Sequence, residues 1–245
     1  MPDSLFGSDS DDDKDEDERD SVEEPIVARR DAPPISGFYL FPEAVPASLQ
    51  HSLALSLAEA STWPSDSNQV MLFDSSANSS KSNLPACLDP LVDDVLPRVL
   101  ATLPDEIRDV VFDESKPRQC ILNLYHPGQG ISPHVDLVDR YEDAIVGVSL
   151  VSSTVMDLIP VDHHRRRRPR YAVRLKPGDV YVLSGEARYD YLHGIAYRTQ
   201  DVVVDDDDDD ERKGETRVVT RGIRMSITLR RMRPGADVIG PLPTT

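Results

Sequence analysis

Polar and apolar side chains alternate at every position of Arg224-Met225-Ser226-Ile227-Thr228-Leu229-Arg230, near the carboxyl end of the chain. A period of two is the spacing at which successive side chains point to opposite faces of a β-strand. The stretch therefore predicts a strand with two arginines, a serine and a threonine on one face and three apolar side chains on the other.

Further strand patterns occupy the chain upstream of this stretch. Turn signals such as Pro127-Gly128 and Pro177-Gly178 separate them, and no helical pattern intervenes that would make βαβ units. The predicted strands are 35–41, 119–125, 144–151, 154–159, 170–175, 179–184 and 223–231. They favour a mainly β (α+β) fold with an antiparallel barrel or a double-sheet jelly roll at its core.

Two helices are predicted in front of most of these strands. Leu49, Leu53 and Leu57 recur at every fourth residue, which indicates an amphipathic helix. A second helix is predicted from Asp89-Pro90, because a proline is favoured at the first helical position, although Pro97 must kink or shorten it. The helices are expected to close one face of a sheet.

Acidic side chains are concentrated in two segments of the 245-residue chain, whose formal net charge is -17. Residues 1–35 hold 13 acidic and 4 basic side chains, and residues 201–213 hold 8 and 2. Segments of this composition bury too little apolar surface to fold. We therefore expect a disordered acidic tail over 1–34, one folded domain over 35–233 with an acidic loop insertion at 200–217, and a carboxyl-terminal tail over 234–245.

The two cysteines and the amino terminus bear on the cellular compartment. Cys87 and Cys120 have neither a CxxC nor a zinc-like spacing and are predicted to be free core thiols. The amino terminus lacks the apolar region of a signal peptide, and no apolar run reaches the roughly 18 residues of a membrane span. We expect an intracellular protein of the nucleus or cytoplasm, without a membrane partner.

A candidate metal site begins at His134-Val135-Asp136. On a strand, side chains at i and i+2 share a face, so that one ion could bind both, although such a pair alone is more often a solvated turn. Among the six histidines, His193 is the best third ligand, because it follows a strong strand in an apolar setting. Two imidazoles and one carboxylate are typical of non-haem Fe(II) sites with open coordination positions.

The two arginines of the alternating stretch suggest an anionic ligand. Arg224 and Arg230 would share one strand face, and two arginines inside a barrel need anionic partners. A five-carbon dicarboxylate could bind both, with one guanidinium at each end. Asn123 and Tyr125 share a face of their predicted strand and could reach the same carboxylates. The alternative is an edge strand whose polar face is solvated.

The order of these residues resembles the AlkB family of Fe(II)- and 2-oxoglutarate-dependent dioxygenases. The matching pattern is Asn123-x-Tyr125, Pro127-Gly128-x-Gly130-Ile131-x-Pro133-His134-x-Asp136, His193 and Arg224-x5-Arg230. The stretch Leu183-Ser184-Gly185-Glu186-x-Arg188-Tyr189 is most similar to the AlkB-like domain of the eukaryotic homologue that modifies wobble uridines in tRNA. The resemblance covers about residues 35–233 and implies a double-stranded β-helix core with supporting N-terminal helices. It also implies that His134, Asp136 and His193 are the catalytic iron ligands.

Roles for the co-substrate follow from the same resemblance, which implies 2-oxoglutarate and O2. Arg224 and Tyr125 would hold the distal carboxylate of 2-oxoglutarate, and Arg230 and Asn123 would lie near the proximal one. Ser226 stands two residues after the first arginine, where the family often has Asn, and is included among the co-substrate residues.

The resemblance implies oxidative demethylation or hydroxylation of a modified base in RNA or DNA, presented outside its stack. Such a base needs an aromatic wall, for which Tyr189 and Tyr191 are candidates, with Arg188 beside them. Further candidates are Trp63, Phe73 and a basic hairpin tip with Arg165–Arg168 and Arg170, a tip that is equally typical of a solvated loop or a nuclear-targeting patch.

Two other functions fit the sequence. The acidic segments would repel phosphates, which favours a basic protein as the substrate of a hydroxylase or demethylase. A non-enzymatic acidic interaction protein on a jelly-roll scaffold would use its aspartate runs to bind basic partners. The intact set of two histidines, one aspartate and two arginines argues against that last alternative.

Overall fold

The alternating stretches form the strands that their pattern predicts. The structure is a computed structural model, and it describes residues 26–59, 63, 67–74, 84–161, 168–204 and 214–236. Its strands are β1 (Phe38–Phe41), β2 (Gln69–Asp74), β3 (Arg118–Tyr125), β4 (Ile131–His134), β5 (Ile145–Leu150), β6 (Thr154–Pro160), β7 (Tyr171–Leu175), β8 (Val180–Leu183), β9 (Tyr191–Ile195), β10 (Gln200–Val204), β11 (Thr216–Thr220) and β12 (Arg224–Arg231). Its α-helices are α1 (Ala47–Ala58), α2 (Leu96–Val99), α3 (Asp105–Val111) and α4 (Gly185–Tyr189).

Antiparallel pairing joins most of these strands into two sheets. One sheet has six strands in the order β1-β8-β5-β12-β3-β2, and the other has four in the order β4-β9-β6-β7. An apolar cluster with Ile145 of the larger sheet and Leu158 of the smaller one lies between them. The predicted jelly-roll core is therefore confirmed.

The two faces of β12 separate the helical layer from the interior, as its alternation predicts. Ile227 is fully buried in the apolar cluster that also contains Leu53 and Leu57 of α1. Burying a side chain of this size contributes roughly 1.5–3 kcal/mol. The polar side chains of β12 face the other way and line a cavity: Arg224, Ser226, Thr228 and Arg230.

The predicted second helix is broken into short pieces. Pro90–Val95 form a π-helical turn, α2 follows with Pro97 in its first turn, and Leu100–Thr102 form a 3-10 turn. A proline lacks the N–H that a continuous helix needs, so the predicted kink or shortening is confirmed. The sequence did not predict α3, which follows this region.

The predicted boundary of the acidic tail at residue 34 is wrong. Ala28 is fully buried and pairs with Val203 of β10, and Arg29 pairs with Val173 of β7. The charge count concealed this segment, because apolar residues follow directly after the last acidic ones. Residues 1–25, which hold 12 of the 13 acidic side chains of the predicted tail, lie outside the described residues.

The predicted loop insertion at 200–217 is also corrected. Its ends are strands, because β10 and β11 form an antiparallel hairpin in which Val202 lies opposite Val218. β-Branched side chains favour such strands, but the adjacent aspartate run hid the pattern. The run itself, within 205–213, lies outside the described residues, as do residues 237–245.

Two further predictions concern the cysteines and the absence of a membrane span. Cys120 is buried and Cys87 is half-buried, and both are free thiols. None of the helices in the described part of the chain is long and apolar enough to cross a membrane.

Candidate active site

A cavity of about 170 Å³ lies between the two sheets. Ile145, Met156 and Leu183 form part of an apolar wall. All eight residues that the sequence singles out for metal and co-substrate line this cavity: Asn123, Tyr125, His134, Asp136, His193, Arg224, Ser226 and Arg230. The fold thus brings together side chains that are up to about a hundred residues apart in the sequence.

The three predicted metal ligands meet at one side of the cavity. His134 of β4 lies opposite His193 of β9, and the centroids of their rings are 4.4 Å apart. Each of His134, Asp136 and His193 offers one ligand atom, and these atoms lie within 4.8 Å of one another. No second group of this kind occurs among the described residues. The spacing fits a single metal ion with two nitrogen ligands and one oxygen ligand.

Asp136 reaches this position in a different way from the predicted one. β4 ends at His134, so Asp136 lies beyond the strand and does not share a strand face with the histidine. Instead, Nη1 of Arg230 donates to Oδ1 of Asp136 at 2.5 Å, and Nε of Arg230 donates to Gln119 at 2.7 Å. The guanidinium also lies 3.7 Å from the ring centroid of Tyr141. Arg230 is therefore engaged in holding the carboxylate.

Electrostatics favour the forms of these groups that bind a divalent ion. Burial and the neighbouring His134 lower the pKa of His193 to about 4, so its imidazole is neutral. Burial acts to raise the pKa of Asp136, but the charge of Arg230 and the hydrogen bond that it donates outweigh burial, so the pKa falls below its ordinary value. Nδ1 of His134 lies 2.9 Å from the carbonyl oxygen of Ser132 and can donate to it, which leaves Nε2 to bind the ion.

Arg224 is a buried cation surrounded by neutral side chains. It is 4% exposed, its Nε donates to Oγ of Ser149 at 3.2 Å, and its guanidinium lies 5.5 Å from the ring centroid of Tyr125. Burial lowers its pKa, and no carboxylate of the described residues pairs with it. A buried guanidinium without a counter-ion is unfavourable, so this part of the cavity suits an anionic ligand.

Tyr181 is a cavity residue that the sequence reading missed. Burial raises the pKa of its phenol to about 12, so the hydroxyl stays protonated and can donate a hydrogen bond beside Arg224. Gly147 makes room for the ring, because a Cβ there would lie 2.1 Å from Cζ of Tyr181. The alternation of β8 carried the signal, since Val180 and Val182 face the helical layer and leave Tyr181 facing inward.

Asn123 and Ser226, the predicted amide and hydroxyl contacts of the co-substrate, lie next to each other in the wall of the cavity. Oδ1 of Asn123 accepts a hydrogen bond from Nε2 of Gln69 at 2.8 Å, a contact that sequence alone did not suggest. Ser226 of β12 lies directly opposite Asn123 of β3 on one side and Ser149 of β5 on the other. Their co-substrate roles remain predictions.

Two of the three predicted substrate contacts are corrected by burial. Tyr191 is 3% exposed and belongs to the apolar cluster between the sheets. Arg188 is 1% exposed and donates only to backbone carbonyls. A sealed side chain cannot stack on an incoming base. Tyr189 is half-buried against Arg188, and its substrate role stays a prediction.

The structure also describes other candidate substrate contacts, among them Trp63 and Arg168. Trp63 donates to the carbonyl of Leu57 at 2.5 Å and packs against the helical layer, which argues against a substrate contact. Arg168 pairs with Asp190 at 3.1 Å and with Glu186 at 3.4 Å. Arg170 of the predicted basic tip is half-buried, and residues 165–167 lie outside the described residues.

Residues 39–230 match the family described as the 2OG-Fe(II) oxygenase superfamily. The chain belongs to this superfamily. Membership implies Fe(II) and 2-oxoglutarate, and the described triad of two imidazoles and a carboxylate is a donor set that fits Fe(II). Relatives of the oxygenase include named AlkB homologues, which confirms the AlkB resemblance.

Three relatives illustrate the range of similarity. Uncharacterized protein L905 of Acanthamoeba polyphaga mimivirus is 32% identical over 139 residues, which are 55% of this chain and 58% of that protein. The tRNA (carboxymethyluridine(34)-5-O)-methyltransferase ALKBH8 of Mus musculus is 31% identical over 146 residues, 56% of this chain but 21% of that protein. The mitochondrial alpha-ketoglutarate-dependent dioxygenase alkB homolog 7 of Mus musculus is 35% identical over 124 residues, 49% of this chain and 50% of that protein. The oxygenase thus matches less than two thirds of each of these relatives.

Proposed function

We propose that this chain is an Fe(II)- and 2-oxoglutarate-dependent dioxygenase that demethylates or hydroxylates a modified base in RNA or DNA. One observation supports the proposal most directly. The same cavity contains a cluster of three metal-ligand side chains and a buried arginine, Arg224, that has no carboxylate partner among the described residues. A metal and a dicarboxylate co-substrate would complete both features.

The bound ion, with 2-oxoglutarate and O2, supplies the oxidation of a C–H bond to C–OH, coupled to the conversion of 2-oxoglutarate into succinate and carbon dioxide. His134, Asp136 and His193 would hold the ion. Arg224 and the protonated phenol of Tyr181 would bind a carboxylate of the co-substrate through charge-assisted hydrogen bonds. If the oxidised carbon is an N-methyl group, the hydroxylated product releases formaldehyde and the amine.

A groove of about 390 Å³ next to the cavity supports a base as the substrate. It shares Gln69, Asn123 and Tyr125 with the cavity and adds Tyr197, whose side chain is 66% exposed. Exposed tyrosine rings can stack on an unstacked base, and amides can hydrogen-bond to its edge. The mouse ALKBH8 relative is named a tRNA methyltransferase, and its name supports the same class of substrate.

A basic protein is the second candidate substrate, and a specific observation favours it. No lysine or arginine lines the groove, so its described walls offer no track for phosphates. The aspartate- and glutamate-rich segments of the chain would attract lysine- and arginine-rich partners.

The test is succinate release by the full chain with Fe(II), 2-oxoglutarate and O2. Methylated RNA, methylated DNA and basic peptides from histones and ribosomal proteins are compared, with His193→Ala as the inactive control. Stimulation by methylated nucleic acid, with formaldehyde as co-product, supports the proposal. Stimulation by the peptides alone would select the second candidate, and succinate release equal in parent and control would exclude the proposed metal centre.

A further inference from the structure

Arg188 is an unusual arginine, because it is the largest of the fully buried side chains in the described part of the chain. It lies on α4, the short helix between β8 and the strand that carries His193. No carboxylate of the described residues pairs with it. A cation sealed from water in this way is retained only when its surroundings satisfy it.

Its partners are three backbone carbonyls of one short segment. Nε donates to the carbonyl of Glu142 at 3.2 Å, Nη1 to that of Asp136 at 3.4 Å and Nη2 to that of Tyr141 at 3.4 Å. The planar guanidinium presents its donors on three nitrogens in a fixed fork and so reaches three separated carbonyls, whereas an ammonium group has all its donors on one nitrogen. Arg188 thus spans the segment 136–142, which begins with a predicted metal ligand and has no strand or helix of its own.

The helix that carries Arg188 is itself fixed in place. Oγ of Ser184 donates to Asp143 at 2.6 Å, and the backbone N–H of Gly185 donates to the same carboxylate at 3.1 Å. The N–H of Ala187 donates to the carbonyl of Ser36 at 3.0 Å. Arg188 therefore reaches the segment from a rigid support.

A second arginine, Arg230, contacts the side chain of Asp136. Arg230 binds Oδ1 of Asp136 and covers the ring of Tyr141. Arg188 donates to the backbone carbonyls of the same two residues. Asp136 is thus held through its side chain by one guanidinium and through its backbone by another.

We infer that Arg188 is a positioning residue, which fixes the segment 136–142 so that the carboxylate of Asp136 stays at the distance the two imidazoles require for a shared ion. This inference rests on the proposed function, because it assumes that Asp136 is a metal ligand. Residues that orient a ligand without touching the ion typically change metal affinity by about 10- to 100-fold when removed.

A purely structural role would give a different result, and Arg231 provides the matched control. It is 2% exposed and also donates to two backbone carbonyls, those of Val111 and Lys116, outside the segment 136–142. Removing either arginine should lower stability. Only removal of Arg188 should also weaken metal binding.

The experiment titrates Mn(II) into the metal-free full chain and its variants, with free Mn(II) measured by electron paramagnetic resonance. Thermal unfolding in EDTA is recorded for the same samples. We expect Arg188→Met to weaken Mn(II) binding at least about tenfold, while Arg231→Met changes it less than about twofold at a comparable loss of unfolding temperature. If Arg188→Met does not fold, Arg188→Lys takes its place and should weaken binding about threefold or more, because the fork is lost.

Parent-like Mn(II) affinity in the folded Arg188 variant would overturn the inference alone. So would an equal loss of affinity in Arg231→Met, since that would make the effect a general consequence of instability. If the parent chain itself binds Mn(II) no better than His134→Ala, the metal centre is overturned and the inference with it.

Discussion

The two arginines on the inner face of β12 differ in what they already contact. Arg230 is occupied by Asp136, Gln119 and Tyr141. In the described part of the chain, Arg224 donates to the hydroxyl of Ser149 and lies against the ring of Tyr125 but pairs with no carboxylate. An incoming carboxylate therefore gains more from Arg224 than from Arg230. The family resemblance predicts one arginine near each carboxylate of 2-oxoglutarate. The contacts instead suggest that Arg224 binds the co-substrate and that Arg230 mainly holds Asp136.

Arg224→Met should raise the KM for 2-oxoglutarate at least about tenfold, because a buried charge-assisted contact contributes roughly 1.5–3 kcal/mol. Metal affinity should stay close to that of the parent, since Arg224 contacts no ligand. Arg98→Met on the exposed surface of α2 is the control. A KM unchanged in Arg224→Met would place the co-substrate elsewhere.

His193 should make the metal-free protein less stable as the pH falls. Its pKa is lowered to about 4 in the folded chain, against the ordinary 6.5, so between these values the unfolded chain binds a proton that the folded chain does not. Above about pH 6.5 His193 carries no such penalty, and the loss of stability grows as the pH falls towards 4, with roughly 3 kcal/mol as an upper limit.

Urea unfolding in EDTA at pH 7, 6, 5 and 4.5 measures this dependence. The parent should lose more stability over the series than His193→Gln, with His51→Gln on exposed α1 as the control. Identical losses in the parent and in His193→Gln would show that the imidazole is not held neutral by the fold.

At the scale of strands and helices, the pattern of period two predicted the elements whose faces differ in polarity. β12 and β3 are examples, because a helix-facing apolar side and a cavity-facing polar side leave a clear alternation. The pattern did not predict α4, the short helix on which Arg188 lies. From this helix Arg188 donates to the carbonyl of Asp136 in the metal-binding segment. The periodicity of a short stretch predicts which face of an element is buried, but it does not predict which residues a buried arginine will contact.

The segment 26–30 illustrates the same limit, and it yields a prediction. Ala28 exchanges hydrogen bonds with β10 at 3.0 and 2.9 Å, and Arg30 binds both oxygens of the buried Asp179. Deleting 1–25 should change the free energy of unfolding by less than about 0.5 kcal/mol. Deleting 1–30 should cost about 3 kcal/mol or more, because it leaves Asp179 without its guanidinium.

Urea unfolding of the two deletion variants measures this difference. Arg30→Met in the full chain is the matched control, since it removes the ion pair but keeps the strand contacts of Ala28. Equal stability of the two deletion variants would mean that the segment 26–30 is not part of the folding unit.

At the scale of the whole molecule, charge is unevenly distributed along the chain. Residues 1–25 hold 12 acidic and 2 basic side chains. If the substrate is a nucleic acid, deleting these residues should strengthen binding of a single-stranded RNA at low salt, and the gain should shrink as salt screens the charges. Fluorescence anisotropy over a salt series measures both effects. Unchanged RNA binding together with lost binding of a lysine-rich peptide would favour the protein substrate.

The cavity between the two sheets must bind 2-oxoglutarate in a metal-dependent way. Anaerobic calorimetric titration of 2-oxoglutarate into the full chain, with and without Fe(II), measures this without any assumption about the substrate. We expect saturable binding of one co-substrate per chain with Fe(II), abolished in His193→Ala and weakened about tenfold in Arg224→Met. Binding of equal strength with and without Fe(II), or in His193→Ala, would be incompatible with a metal centre formed by His134, Asp136 and His193.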